Sequence, residues 1–254
     1  MAILSLIFVA GTFAGSFFYT LALRYIEGSF KSDPFKALFS RSKCNNCKKA
    51  LGIVSLIPIV GYLLNFGKCK ICGARISISY PLWEIFYGLL AVAVFYIKGV
   101  SLLSLFIYLI CSVVTALAIV DYRTMIIPPS LVLLIVALSI YPISKSGDIA
   151  NNFYGFLFLS IFFLLMLFIF PGAFGGGDIK LYMAAGFLLG LEMSIVLLEI
   201  SLISGALFGT IYALLKGGNF RLKIPFAPFI AFGIIITLLF GDTILLFYYR
   251  SFLW

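Results

Sequence analysis

A succession of eight apolar runs leaves this chain few possible folds. Hydrocarbon admits a backbone only where its polar groups are paired internally, which for such runs means helices. The runs are Ala2 to Leu23, Leu82 to Ile97, Leu102 to Val120, Ile126 to Ile143, Phe153 to Phe170, Leu181 to Leu191, Ser194 to Leu215 and Pro225 to Phe247. A helix needs about 17 to 25 such residues to cross the core. Only 11% of the 254 residues are charged and 63% are apolar, against about 25% charged in a soluble domain. The reading is an all-α polytopic membrane protein with the lipid bilayer as its solvent. Met1 alone precedes the first run and Arg24 follows it, so that run reads as a retained span rather than a cleaved signal. The formal charge of +9 comes without a basic groove interleaved with aromatics, and no nucleic acid partner is expected.

The basic residues report topology instead. Between Arg24 and Leu82 ten Lys or Arg stand against two acids, Glu27 and Asp33, which places that stretch in the cytoplasm and the N-terminus outside. Counting spans from there puts Asp121, Asp178 and the basic loop Lys216 to Lys223 on the cytoplasmic side, and the polar stretch Ser144 to Asn152 in an external loop. Of the eighteen Lys and Arg residues, all but Lys98, Lys145 and Arg250 then face the cytoplasm. The chain divides into a first transmembrane helix (1–23), a cytoplasmic region (24–81) and a seven-helix membrane region (82–254).

The sixth run is too short. Leu181 to Leu191 is eleven residues, about 17 Å of helix in a core of about 30 Å. Either the bilayer thins or the segment starts below the surface. The second option sinks the preceding Phe174-Gly175-Gly176-Gly177-Asp178-Ile179-Lys180 into the membrane, where irregular backbone is tolerated only in protein or beside a wet cavity. Two readings of Asp178 fit these residues. It is an intramembrane ionisable group with a function, with three glycines that let backbone approach backbone, or it caps the helix that follows.

Cys44-Asn-Asn-Cys47 and Cys69-Lys-Ile-Cys72 are separated by twenty-one residues. Two such pairs commonly hold one tetrahedral zinc, each biting one edge of the tetrahedron. A dithiol relay or unpaired structural cysteines are the alternatives, and a cytoplasmic location disfavours disulfides. If the metal is shared, Leu51 to Phe66 cannot be a span. Broken by Pro58 and Gly61, it suits an interfacial or re-entrant hairpin. Cys111, within an apolar run, reads as packing.

Asp121 and Asp178 are separated by two crossings, so both can reach one cytoplasmic cleft. Paired carboxylates that share a proton and a water suffice for aspartyl hydrolysis. Helix-end carboxylates paired with Arg123 and Lys180 are the competing reading. The chain has no histidine, which excludes Ser-His and Cys-His catalysis.

Taken in order, these residues resemble the bacterial type IV prepilin peptidases, polytopic aspartic proteases of the G-x-G-D class. The resemblance spans nearly the whole chain: Gly15-Ser16-Phe17 with Arg24, the two cysteine knuckles, Ile76-Ser-Ile-Ser-Tyr-Pro81 with Glu84, Asp121 with Ile127-Pro128, Gly175-Gly-Gly-Asp178-Ile-Lys180-Leu181, and Ile224-Pro-Phe-Ala-Pro228. Tyr19 and Pro129 stand where the family commonly has Asn and an acid. The resemblance implies catalysis by Asp121 and Asp178, with Gly175, Gly176 and Gly177 as a substrate-binding or structural loop. It implies structural Zn2+ on Cys44, Cys47, Cys69 and Cys72. Its substrates would be pilin or pseudopilin precursors of type IV pilus or type II secretion systems, cut at the cytoplasmic face of the inner membrane. It also implies N-methylation of the new N-terminus from S-adenosylmethionine, with Arg24 and Glu84 the charged positions to test, both of which also fit helix-end anchors. A membrane thiol oxidoreductase or an ion-coupled transporter are the other function classes; the first wants its thiols on the oxidising face, and the second commonly shows inverted repeats.

Overall fold

The computed structural model describes residues 2–252 apart from 33, 34, 36, 37, 39, 173 and 218–223; most of the basic loop Lys216 to Lys223 therefore lies outside the described residues. Eight long helices follow one another: α1 (Ala2–Ile26), α2 (Ser79–Lys98), α3 (Leu102–Thr124), α4 (Pro129–Ser146), α5 (Ile149–Ile169), α6 (Gly176–Leu189), α7 (Leu191–Leu215) and α8 (Ala227–Phe252). Among the described residues seven of them are long and apolar enough to cross a membrane, and α6, at 14 residues, is not. The fold class is thus all-α and polytopic, with a four-cysteine cluster after the first helix.

The chain forms two compact units, Met1–Ser104 and Leu105–Trp254. Helix α2 falls in the first unit with α1, and the reason is close packing. A Cβ on Gly11 would lie 2.7 Å from Ala91 Cβ, and one on Gly15 would lie 2.7 Å from Tyr87 Cβ. Only glycine lets α1 and α2 approach so closely. Tyr87 is fully buried in this seam and stacks on Phe18.

In the second unit α5 packs on α6, α7 on α8, and α4 on α6. Gly155 and Gly186 let the α5 and α6 backbones touch: a Cβ on either would meet the other's carbonyl oxygen at 2.5 Å. Ser144 to Asn152 is not the polar loop expected from its composition. Helix α4 runs to Ser146, and α5 starts at Ile149, where Asp148 Oδ1 accepts from Asn151 N at 3.0 Å as its cap. This leaves Asn151 and Asn152 on the helix, where they finish the short sixth segment. Asn152 Nδ2 donates to Phe187 O and Leu188 O near the end of α6, and Asn151 Oδ1 accepts from Leu191 N at the start of α7. Helix ends leave such groups unpaired, a large cost away from water. The two asparagines meet it at a break where Gly190 has φ +79°.

Candidate functional site

Each unit carries one group of chemistry-bearing residues. In the second unit, Asp121 lies in the last turn of α3 and is 5% exposed. Its Oδ2 accepts from the Ala227 N–H at 3.1 Å. Ala227 is the first residue of α8, so the carboxylate takes one of the donors that a helix start leaves unpaired, at the positive end of the helix dipole. Pro225 and Pro228 bracket this donor and have no N–H of their own to offer.

Asp178 sits at the matching place on α6. Gly175 precedes that helix, Gly176 and Gly177 form its first turn, and Asp178 Oδ2 accepts from the Gly175 N–H at 3.1 Å. The three glycines are therefore a helix start rather than an extended loop, and Asp178 has the geometry of a residue reaching back to close a cap. That geometry engages one oxygen only. Gly177 is needed for approach: a Cβ there would lie 2.9 Å from Ile127 Cβ, so the start of α6 is pressed onto the segment that follows Asp121. Aromatic rings tie the same elements together. Phe174 meets Phe226 edge-on at 5.4 Å and Phe163 at 5.0 Å, and Phe163 stacks on Tyr182, one turn beyond Asp178. Tyr182 in turn bonds Ser201 of α7 at 2.6 Å. Asp121 and Asp178 lie near enough for their charges to act on one another. Their hydrogen-bond partners are backbone N–H groups; among the described residues neither is paired with Arg123 or Lys180.

In the first unit the two knuckles share one hydrogen-bond frame. Cys44 N donates to Lys49 O, Lys48 N to Cys44 O and Leu51 N to Ser42 O; Cys69 N donates to Ala74 O, Gly73 N to Cys69 O and Ile76 N to Gly67 O. The offsets from the first cysteine are identical. Each loop is closed by an isolated bridge, Lys43 to Ala50 and Lys68 to Arg75. All four Sγ atoms lie within 4.8 Å of one another, and Cys44 Sγ is 3.8 Å from Cys72 Sγ. A tetrahedron with metal–sulfur bonds of about 2.3 Å has edges of about 3.8 Å, so the four thiols fit one metal ion. Backbone N–H groups also favour thiolates here. Those of Cys47 and Asn46 lower Cys44, and that of Ala74 helps bring Cys72 down to about 6. Cys47 is pushed up to about 11: the Lys49 N–H favours its thiolate, but desolvation and the adjacent thiols outweigh that. Gathered thiolates are what a divalent cation neutralises. Cys111 is fully buried in α3.

Beside the knuckles is a cavity of about 520 Å³ lined in part by Ser16, Arg24, Glu27, Arg41, Tyr80 and Glu84. Arg24 and Glu84 thus share one cavity, but each has another bond. Arg24 donates to Leu38 O and Ser40 O, closing the chain that leads to the first knuckle. Glu84, 6% exposed, accepts from the Ile59 N–H at 2.7 Å. Leu51 to Phe66 is not a span: it forms a 3-10 turn (Ile53–Leu56) and a short helix (Val60–Leu64). The partners the sequence did not reveal are Ala227 N–H and Ile59 N–H. Backbone donors carry no residue signature, and the paired prolines around Ala227 were the nearest signal.

Comparison with known proteins follows the same division. The Bacterial Peptidase A24 N-terminal domain matches residues 9–98 and the Type IV leader peptidase family matches residues 108–210. The chain is 35% identical over 253 residues to a prepilin leader peptidase/N-methyltransferase of Bacillus subtilis (strain 168), covering 97% of this chain and 98% of that one. It is 31% identical to the protein of that name from Aeromonas hydrophila, covering 87% and 78%, and 32% identical to that from Burkholderia pseudomallei (strain K96243), covering 79% and 67%. No solved structure matches it.

Proposed function

The chain belongs to the type IV leader peptidase family, a family of membrane aspartic peptidases, and on that premise we propose that Asp121 and Asp178 form its catalytic pair. The observation that carries this is the convergence of three distant segments. The end of α3 supplies Asp121, the start of α6 supplies Asp178, and the start of α8 supplies the N–H that holds Asp121. Each carboxylate spends Oδ2 on a backbone N–H, which leaves Oδ1 to face a shared water. Two like charges this near favour holding one proton between them. The ionised member takes a proton from the water as its oxygen attacks the scissile carbonyl, while the protonated member gives its proton to the carbonyl oxygen. In the collapse of the tetrahedral intermediate its hydroxyl returns that proton to the carboxylate that gave it, while the other carboxylate passes the proton taken from the water to the leaving nitrogen, and the C–N bond breaks to release the new amine.

The substrate class is a pilin-like or pseudopilin precursor, whose short basic leader ends where an apolar helix enters the membrane. The cut bond then lies at the cytoplasmic surface of the inner membrane, a side that the excess of Lys and Arg between Arg24 and Leu82 supports. The four cysteines hold a structural Zn2+, the ion that four thiolates in this geometry fit best. The cavity of the first unit serves N-methylation. S-adenosylmethionine, when bound there, supplies the methyl group as an electrophile. Its lining offers guanidinium groups for a carboxylate and the acids Glu27 and Glu84 for cationic centres, within the size range of small-molecule pockets. The test is to incubate the purified protein with a pilin-like precursor and read product masses with and without S-adenosylmethionine. Loss of the leader in both, with one added methyl only in the second, is expected; an uncut precursor would end the peptidase reading, and a cut but unmethylated product the methyl-transfer one.

A further inference from the structure

The segment between the knuckles, residues 50–67, has no charged residue, and from 34 to 83 every charged residue is basic. On the folded hairpin Ile53, Val54, Val60, Leu63, Leu64 and Phe66 stand out from the surface; Ile53 is 76% exposed and Phe66 88%. An outward set of large apolar side chains this dense is rare on a water-facing loop. The hairpin is well defined around them: Asn65 Nδ2 donates to Gly61 O and Ser55 Oγ, and the opposite side of the turn, with Ser55, Ile57 and Tyr62, lines the cavity.

Its height relative to the bilayer follows from α2. Ile59 N is bound to Glu84, in the second turn of that helix. Tyr19, Tyr80 and Trp83 cluster at the same level, with Tyr19 to Tyr80 at 5.1 Å and Tyr19 to Trp83 at 6.0 Å between ring centroids. Aromatic side chains with a polar edge gather at the headgroup level of spanning helices. Lys48 and Lys49 precede the hairpin, and Lys68 and Lys70 follow it.

We infer that this hairpin is an interfacial membrane anchor: its outer face enters the acyl region while the flanking lysines bind anionic headgroups, so that the metal site is held against the bilayer. The inference is independent of methyl transfer. Amphipathic segments with a basic border bind anionic lipid in this way.

The test uses the full chain in nanodiscs whose lipids carry brominated acyl chains. Phe66→Trp is measured against the background of Trp83 and Trp254 and against Asn45→Trp on the exposed part of the first knuckle. Retained metal content shows that the knuckles are folded, and Leu63→Trp replaces Phe66→Trp if it is not. In phosphatidylglycerol discs we expect at least a two-fold bromine quenching of the hairpin tryptophan and little quenching by aqueous acrylamide, with the reverse for Asn45→Trp. Replacing Lys48, Lys49, Lys68 and Lys70 with Gln should reduce the bromine quenching in phosphatidylglycerol and leave it unchanged in phosphatidylcholine. Acrylamide quenching as strong as at Asn45→Trp would overturn the anchor, and equal effects of the Gln variant in both lipids would overturn its preference for anionic headgroups. Acrylamide quenching that vanishes only when a pilin-like precursor is added would assign the face to substrate and overturn the lipid assignment.

Discussion

The two units bring their residues together by opposite means. In the first, four cysteines on loops are positioned by backbone hydrogen bonds and converge as a metal would require, outside the spans. In the second, two carboxylates at helix ends are positioned by direct packing, with glycine against isoleucine and phenylalanine against phenylalanine. A site built on loops needs a bound ion to hold it. One built on packed helices is held by what the helices bury, and the two should fail differently.

The largest expected difference is on metal loss. Stripping the ion, or Cys69→Ser, removes a site of the kind worth about 10 kcal/mol or more in zinc-dependent folds. Residues 40–77 should become open to proteolysis and methyl transfer should cease, while cleavage of a precursor persists. Limited proteolysis and the mass assay report both; loss of cleavage together with the knuckles would show that the units are not independent. Next is Gly177→Val, whose added carbons meet Ile127. A displacement of about 1 Å at a catalytic group can cost ~100-fold in rate, so kcat for cleavage should fall by about that factor with metal content unchanged. Wild-type rates would show that the α6 start has room to move.

Asn152→Ala leaves Phe187 O and Leu188 O without their donor, a loss of about 1–3 kcal/mol, read as a lower unfolding midpoint in detergent. The least effect comes from within the knuckle pair. At equivalent positions of the shared frame stand Lys48, with φ +57°, and Gly73, with φ +70°. A side chain in that left-handed region is strained, so Lys48→Gly should stabilise the first knuckle by about 0.5–1 kcal/mol, and Gly73→Lys should weaken the second by a similar amount. Metal-release rates in chelator order the variants; slower release from Gly73→Lys would refute the equivalence.

Spans and knuckles were legible in the sequence because apolar runs and C-x-x-C spacing act through residue type. The start of α5 was not: Asn151 and Asn152 look like loop residues, and only the three-dimensional break at Gly190 shows why polar groups belong on a helix there. The triple glycine was legible as a close approach but not as a helix start, since glycine is a poor helix former and what favours helix here is the Asp178 cap and the contact with Ile127. Nor could sequence choose between cap and catalyst for Asp178, because the residue has the geometry of the first while its charge lies within reach of that of Asp121.

If Asp121 and Asp178 act on one water, cleavage of a pilin-like precursor by Asp121→Asn, Asp178→Asn and the double variant reports it. Asparagine keeps the side-chain oxygen that accepts from Ala227 or Gly175 but cannot exchange the proton. Each single change should therefore lower the rate by ~10³-fold or more, and the double change by little beyond that, with membrane insertion, metal content and methylation of a pre-cut product intact. Asp148→Asn, which preserves the α5 cap, should cleave at the wild-type rate. Substantial cleavage by either single variant, or losses that multiply in the double one, would contradict the shared-water pair.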